Sequence, residues 1–170
     1  MNAVLDTNRG ATLSLDGVYR YRLSRCWGNG PKATFIMLNP STADAMQDDP
    51  TIRRCIGFAR AWGMGGLYVG NLFAYRATKP EAMLAAPDPV GPENRDHLEW
   101  LCYRAAKNGG VVVCAWGAHG GYMEQDKTFL GWMDGLAIQP MCLGATKGGA
   151  PRHPLYVAGA TPLVPYGAAP

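Results

Sequence analysis

The chain has 170 residues, of which 48% are hydrophobic and 17% charged, so its composition suits one folded domain and argues against intrinsic disorder. The net charge of +3 permits a nucleic-acid partner without requiring one. No stretch reaches the ~20 apolar residues of a membrane span, and the first ten residues lack the pattern of a secretory signal. The five cysteines are scattered and form no C-x-x-C pair. We therefore expect a cytoplasmic monomer with no metal site, no cofactor and no membrane partner.

The first predicted element is a β-hairpin at about residues 11–26, which turns at the dipeptide Asp16-Gly17. Its second arm alternates apolar and polar residues, as a strand with one solvated face does, with Arg20 and Arg22 among the polar set. The continuous apolar run over 33–38 then predicts a strand buried on both faces.

Helices and buried strands alternate along the rest of the chain. One helix is predicted to begin at Pro50, with Asp49 as its N-cap. Another begins near Pro92 and ends near Lys107, before an Asn-Gly pair. The remaining predicted elements are strands over 66–75, 111–116 and 138–144 and a helix at about 124–134.

This alternation predicts an α/β fold: a three-layer sandwich with a mostly parallel, four-stranded central sheet and the hairpin at its edge. We expect a single domain over residues 1–170, with the α/β core at about 33–166.

Polar residues cluster in the segments that follow the predicted strands. Ligands of such sheets bind beyond the carboxyl ends of the strands, so these side chains are expected to form one polar site for a planar or phosphorylated ligand. They are Asn39, Ser41, Asn71, Arg76, His119, Lys147, Arg152 and His153.

Each candidate also has a structural interpretation. Asp49 suits a helix cap better than a catalytic acid, and Asn39 before a proline is as much a turn residue as a site residue. Asn71, inside an apolar strand, must hydrogen-bond either backbone or a ligand. His119, beside two glycines, stays open. His153 lies in a loop made rigid by two prolines, which favours a site.

Several segments resemble a bacterial and phage family of unknown function, DUF1643. They are "MLNPSTAD", "DDPTIRRCIGFAR", "NLFAYRAT", "PDPVGPEN" and "PRHPLY", and they run through most of the chain from residue 36 onward.

In order and spacing, the segments are also distantly similar to the uracil-DNA glycosylase superfamily. "IMLNPS" resembles its first motif, "YVGNLFAYRATKPEAM" a strand that ends in a base-reading Asn, and "PRHPLY" its second motif. That motif usually continues with Ser, where this chain has Leu155. The resemblance implies that Asn39 positions the attacking water, that Asn71 binds the base and that His153 stabilises the leaving base.

The resemblance and the residues together predict a DNA glycosylase-like hydrolase that cleaves the N-glycosidic bond of a flipped, unusual or modified base. Asp44 is a candidate general base. The residues expected to bind substrate together with Asn71 are Pro40, Ser41, Phe73 and Arg76. Four cations are expected to contact DNA phosphates: Arg53, Arg54, Lys147 and Arg152. Two alternatives stay open: a non-catalytic reader of modified or flipped bases, and an enzyme acting on free nucleotides or nucleosides. We expect Asn39, Asn71 and His153 to line one pocket.

Overall fold

The structure, a computed structural model, describes residues 8–167. Its strands are β1 (Arg9–Leu13), β2 (Arg20–Cys26), β3 (Ala33–Met37), β4 (Gly66–Asn71), β5 (Val111–Cys114), β6 (Pro140–Cys142) and β7 (Val164–Pro165). Its helices are α1 (Pro50–Ala61), α2 (Pro80–Leu84), α3 (Asn94–Lys107) and α4 (Gln125–Met133), with 3₁₀ segments at Ala118–Glu124 and Pro154–Tyr156.

The strands form one sheet in the order β1-β2-β4-β3-β5-β6-β7. The four central strands, β4, β3, β5 and β6, pair in parallel, whereas the ladders β1–β2, β2–β4 and β6–β7 are antiparallel. The prediction of an α/β fold is confirmed. The prediction of a mostly parallel, four-stranded sheet is wrong for the sheet as a whole, because the hairpin pairs with β4 through backbone groups and extends the sheet.

Helices cover both faces of the sheet. Helix α1 packs on one face, where Ile52 and Phe58 meet Phe35 of β3 in a buried cluster. Helices α3 and α4 pack on the other face, where Leu101 and Phe129 belong to a second buried cluster. Each central strand therefore places apolar side chains on both sides, which explains its continuous apolar sequence.

Strand β2 contains a β-bulge that changes which residues face the core. Arg22 and Arg20 pair with consecutive residues of β1, so Tyr21 between them is the extra residue. Tyr21 stacks on His97 of α3, and Arg20 is buried, with 2% of its surface exposed. The expectation that Arg20 faces solvent is wrong, because the bulge interrupts the two-residue alternation on which it rested.

The predicted start of α1 is confirmed. Pro50 is its first residue, and Oδ1 of Asp49 accepts a hydrogen bond from the Ile52 amide at 2.8 Å. Strand β4, however, ends at Asn71 rather than at residue 75, because the amides that follow bond the ends of neighbouring segments: the Phe73 N–H, for example, donates to the Leu38 carbonyl.

Two findings bear on the expectations drawn from composition. Four cysteines, Cys55, Cys102, Cys114 and Cys142, are buried in the core as small apolar residues. Within residues 8–167 no helix is long and apolar enough to cross a membrane.

Candidate functional site

A cavity of about 640 Å³ opens at the carboxyl ends of the parallel strands. It is lined by the segments that follow β3, β4, β5 and β6 and by the first turn of α1. The chain leaves β3 toward α1 on one face of the sheet and leaves β5 toward α4 on the other, so the two connections diverge and leave a crevice between them. This volume is in the range of sites for small organic ligands.

The structure brings together five of the polar residues that the sequence singles out. Asn39 and Ser41 line the cavity after β3, His119 lines it after β5, and Arg152 and His153 line it after β6. Their positions follow from the parallel pairing, because all these strands end at the same edge of the sheet.

Other predicted binding residues lie elsewhere. Asn71 and Phe73 are buried and do not line the cavity, and the Phe73 ring contacts Tyr122 instead. Pro40 is buried beside the cavity without lining it. The Arg76 guanidinium donates to a carbonyl of the hairpin turn, that of residue 17. The expectation that Asn71 shares a pocket with Asn39 and His153 is therefore wrong. The Asn71 side chain is buried, and neither of its amide atoms has a hydrogen-bond partner within residues 8–167, so the expected bond to backbone is not formed.

Asp44 does not line the cavity either. Its Oδ1 accepts hydrogen bonds from the Met46 and Gln47 amides, both at 2.8 Å, and these bonds hold its pKa below the ordinary value. The carboxylate therefore closes a turn in the β3–α1 connection and is a poor general base.

The four predicted phosphate-binding cations differ in their roles. Arg53 and Lys147 are exposed, and Arg152 is exposed where it lines the cavity. Arg54 is half-buried, and its guanidinium donates to the carbonyls of Pro154, at 3.1 Å, and of Val157. Arg54 thus ties the loop after His153 to helix α1 and is not free to bind a ligand.

Asn39 is held so that its carbonyl oxygen is available. Its Nδ2 donates to the carbonyls of Pro40, at 3.1 Å, and Ala77, at 2.9 Å. Two carbonyl acceptors fix the amide orientation, since Oδ1 in their place would face two lone-pair oxygens. No residue of the described chain, 8–167, bonds Oδ1 within hydrogen-bond distance, so Oδ1 is the atom that Asn39 can offer to a ligand or a water.

His153 is held so that it offers a donor. Its Nδ1 accepts a hydrogen bond from the Leu155 amide at 3.2 Å, so in the neutral ring the proton is on Nε2. Burial lowers the pKa of His153, and the Asp49 carboxylate opposes this only in part. His153 therefore favours the neutral form at neutral pH, with an Nε2–H available to a ligand acceptor.

Among the lining residues that were not assigned to the cavity from the sequence, three have side chains suited to binding a ligand. Arg20 lines it because the β2 bulge turns that side chain inward. Trp116 follows β5 and supplies a buried aromatic wall. Tyr156, 80% exposed, lines the cavity next to the His153 loop. Asp49 caps α1, as predicted, and also lines the cavity. Of these four residues, only Asp49 was considered for a functional role from the sequence, as a catalytic acid.

The residues present do not form a metal centre of the usual composition. Within residues 8–167, no group of three or more His, Cys, Asp or Glu side chains is placed to hold a metal ion. The cavity instead combines amide, imidazole, guanidinium and hydroxyl groups with one carboxylate, which is a donor set suited to a polar organic ligand.

Fold and site together define an α/β protein with a cavity that contains several polar side chains, at the switch point of a mixed sheet. The chain belongs to the family described as "Protein of unknown function (DUF1643)", which matches residues 20–155. No curated protein and no solved structure matches the chain, so the comparisons do not support the resemblance to the uracil-DNA glycosylase superfamily.

Proposed function

We propose that the protein is a hydrolase of N-glycosyl bonds that acts on a base flipped out of DNA. The observation that supports this best is the pairing of two fixed groups in one cavity: the acceptor Oδ1 of Asn39 and the donor Nε2–H of His153. Hydrolysis of this bond needs an acceptor to orient water and a donor to receive the departing base.

In the proposed reaction, the oxygen of a water attacks C1′ of the sugar while the C1′–N bond breaks. The electron pair of that bond leaves with the base, which is stabilised by the hydrogen bond from His153. A preorganised donor of this kind contributes about 3–4 kcal/mol to lowering such a barrier. Asn39 Oδ1 accepts a hydrogen bond from the water, and Oδ2 of Asp49 takes its proton, since Oδ1 of that carboxylate caps α1 and no residue of 8–167 donates to Oδ2. Asp49 thus replaces Asp44 in the role of base.

The surroundings of the cavity suit a nucleotide in a DNA strand. Tyr156 has an exposed ring on which an extruded base or its neighbour can stack, and its centroid lies 5.4 Å from that of His153. Arg152, Arg53 and Lys147 are the exposed cations proposed to contact phosphates. We predict salt-sensitive DNA binding from these contacts.

One observation favours the second candidate, an enzyme acting on free nucleotides. Arg20 is a buried cation that lines the cavity itself, where a terminal phosphate of a small ligand could reach it. A free nucleotide would be bound with little dependence on salt and without need of Arg53 or Lys147.

The test is the release of free base, detected by mass spectrometry, from single-stranded and duplex DNA. The substrates carry uracil, mismatched thymine, or hydroxymethylated or glucosylated pyrimidines, and free nucleotides are assayed in parallel. We expect release from at least one DNA substrate. Substitution Asn39→Ala should lower the rate by about 100-fold or more, in the range of a lost oriented catalytic group.

The matched control is Asn29→Ala, which removes an exposed amide in the loop before β3 and should leave the rate unchanged. DNA binding should persist in both variants. Equal rates for the two variants would refute the role of Asn39. Salt-sensitive binding without any base release would favour a reader of modified bases, and turnover of free nucleotides alone would favour the second candidate.

A further inference from the structure

Two arginines of β2 are equally buried but differ in how many hydrogen bonds and ion pairs their guanidinium groups form. Arg20 and Arg25 each expose 2% of their surface. The Arg25 guanidinium forms an ion pair with Asp48, with Nε 2.8 Å from Oδ1, and also donates to several backbone carbonyls, including that of Ser24 at 2.8 Å. The buried positive charge of Arg25 is therefore compensated by groups within the protein.

Arg20 lacks this compensation. Its guanidinium makes one hydrogen bond, from Nη1 to the Ala43 carbonyl at 2.7 Å, and its buried Nε has no partner among residues 8–167. No carboxylate of the described chain lies within ion-pair distance of Arg20. A buried charge without an ion-pair partner is costly, which favours a ligand anion as the missing partner of Arg20 at the cavity wall.

The first turn of α1 faces the same cavity. Thr51 and Ile52 line it, and the helix has twelve residues, so its N-terminus carries a partial positive charge. The amides of Ile52 and Arg53 bond Asp49, whereas the Thr51 N–H of the same turn has no acceptor among residues 8–167 and can bind a ligand. Arg20 and this amide thus give the cavity two kinds of anion-binding group.

We propose that Arg20 and the first turn of α1 form a subsite for an oxyanion, the phosphate of a nucleotide or free phosphate, within the cavity. For the kind of ligand, the inference rests on the proposed function or on its second candidate, since a nucleotide of DNA and a free nucleotide both supply a phosphate for the buried cation. It is nevertheless tested without any catalytic step.

Other charged groups of the cavity are compatible with this subsite. Among residues 8–167, Asp49 is the carboxylate that lines the cavity, and its Oδ1 is engaged by the Ile52 amide as the cap of the helix. Arg152 contributes a further positive charge at the surface. Burial lowers the pKa of Arg20 to about 10, with Asp49 opposing the shift, so the guanidinium stays charged at neutral pH.

The experiment compares melting temperatures in inorganic phosphate and in sodium chloride of equal ionic strength, for the wild type, Arg20→Met, Arg20→Lys and Arg25→Met. At tenfold excess of phosphate over its Kd, we expect the wild-type Tm to rise by about 3–6 °C. Arg20→Met should fold, melt at or above the wild type in chloride, and show no phosphate-dependent rise. Arg20→Lys should bind phosphate at least tenfold more weakly, because Lys lacks the guanidinium fork.

Arg25→Met is the matched control: it removes an equally buried but compensated arginine of the same strand, so it should melt much lower than the wild type yet keep the phosphate-dependent rise. The proposal is overturned if the wild type melts alike in both salts, or if Arg20→Met keeps the phosphate effect. It is overturned as well if Arg20→Met is destabilised as strongly as Arg25→Met, because Arg20 would then be a structural residue.

Titration calorimetry with deoxyuridine monophosphate and deoxyuridine identifies the source of the oxyanion. Binding of the nucleotide at least tenfold tighter than the nucleoside, lost in Arg20→Met, assigns the subsite to a nucleotide phosphate. Equal binding of the two, with the phosphate effect retained, assigns it to free phosphate. If the protein binds phosphate through Arg20 but releases no base, the subsite is supported and the glycosylase proposal is refuted. Failure of the subsite proposal can therefore be distinguished from failure of the proposed function.

Discussion

Replacement of Arg54 by Met tests how the His153 loop is held in place. Arg54 donates two hydrogen bonds, to the Pro154 and Val157 carbonyls, and no other guanidinium of the described chain bonds this loop. A hydrogen bond to a charged group contributes about 1.5–3 kcal/mol when buried, and Arg54 is half-buried, so we expect a loss of about 2–3 kcal/mol for the pair. For a domain of this size that corresponds to a fall in Tm of about 4–12 °C.

The control is Arg53→Met, which removes the neighbouring exposed arginine. Arg53 makes one hydrogen bond, to the Asp48 carbonyl at 3.1 Å, so its loss should cost about 0.5 kcal/mol or less. Hydrogen exchange supplies the local measurement: the Leu155 and Tyr156 amides, which bond Nδ1 and the carbonyl of His153, should lose protection in Arg54→Met only. Equal melting temperatures for the two variants, with unchanged protection of these amides, would refute this account of the loop.

Two further predictions concern stability. The pKa of His153 and of His97 is lowered in the fold, by burial in both cases, so stability should be full above the unfolded pKa of about 6.5 and decline as pH falls through the folded values. Urea unfolding between pH 5 and 8 should show this slope reduced, but not abolished, in His153→Gln; an unchanged slope would contradict the assignment. Asp48→Asn removes the carboxylate that pairs with buried Arg25 and should cost about 3 kcal/mol in the same assay, whereas Glu99→Gln, in an exposed pair, should cost less than about 1 kcal/mol. Similar losses for these two variants would show that Arg25 does not depend on Asp48.

The part of the site that could be predicted from the sequence is the part that follows strand ends. Asn39, Ser41, His119, Arg152 and His153 come after buried strands, and parallel pairing brings the ends of such strands to one edge. Their residue types predict which chemical groups they bring to the site. The atom that each side chain presents to a ligand could not be predicted, because it depends on hydrogen bonds to distant backbone groups.

The residues that were wrongly assigned to the site from the sequence show that tertiary contacts determine the remaining part of the site. Asp44 and Arg54 have the charges of site residues, yet one closes a turn and the other holds a loop about a hundred positions away in the chain. Asn71 sits at a strand end like Asn39, but its side chain is turned into the core. None of these outcomes has a local sequence signal, since each depends on which groups the fold brings within about 3 Å.

By itself, the sequence determined the α/β class, the sites of the hairpin turn and the α1 cap, and the edge of the sheet where the cavity lies. These features depend on local rules: apolar periodicity, the backbone freedom of Gly17 at φ +73°, and the preference of Asp49-Pro50 for a helix start. Only the tertiary structure decided that the hairpin joins the sheet and that a bulge turns Arg20 into the cavity. The antiparallel pairing of β2 with β4, which comes much later in the chain, sets the first, and a register shift between the neighbouring strands β1 and β2 sets the second. Neither has a local signal, because the apolar and polar alternation of β2 specifies neither its distant partner nor the extra residue of the bulge.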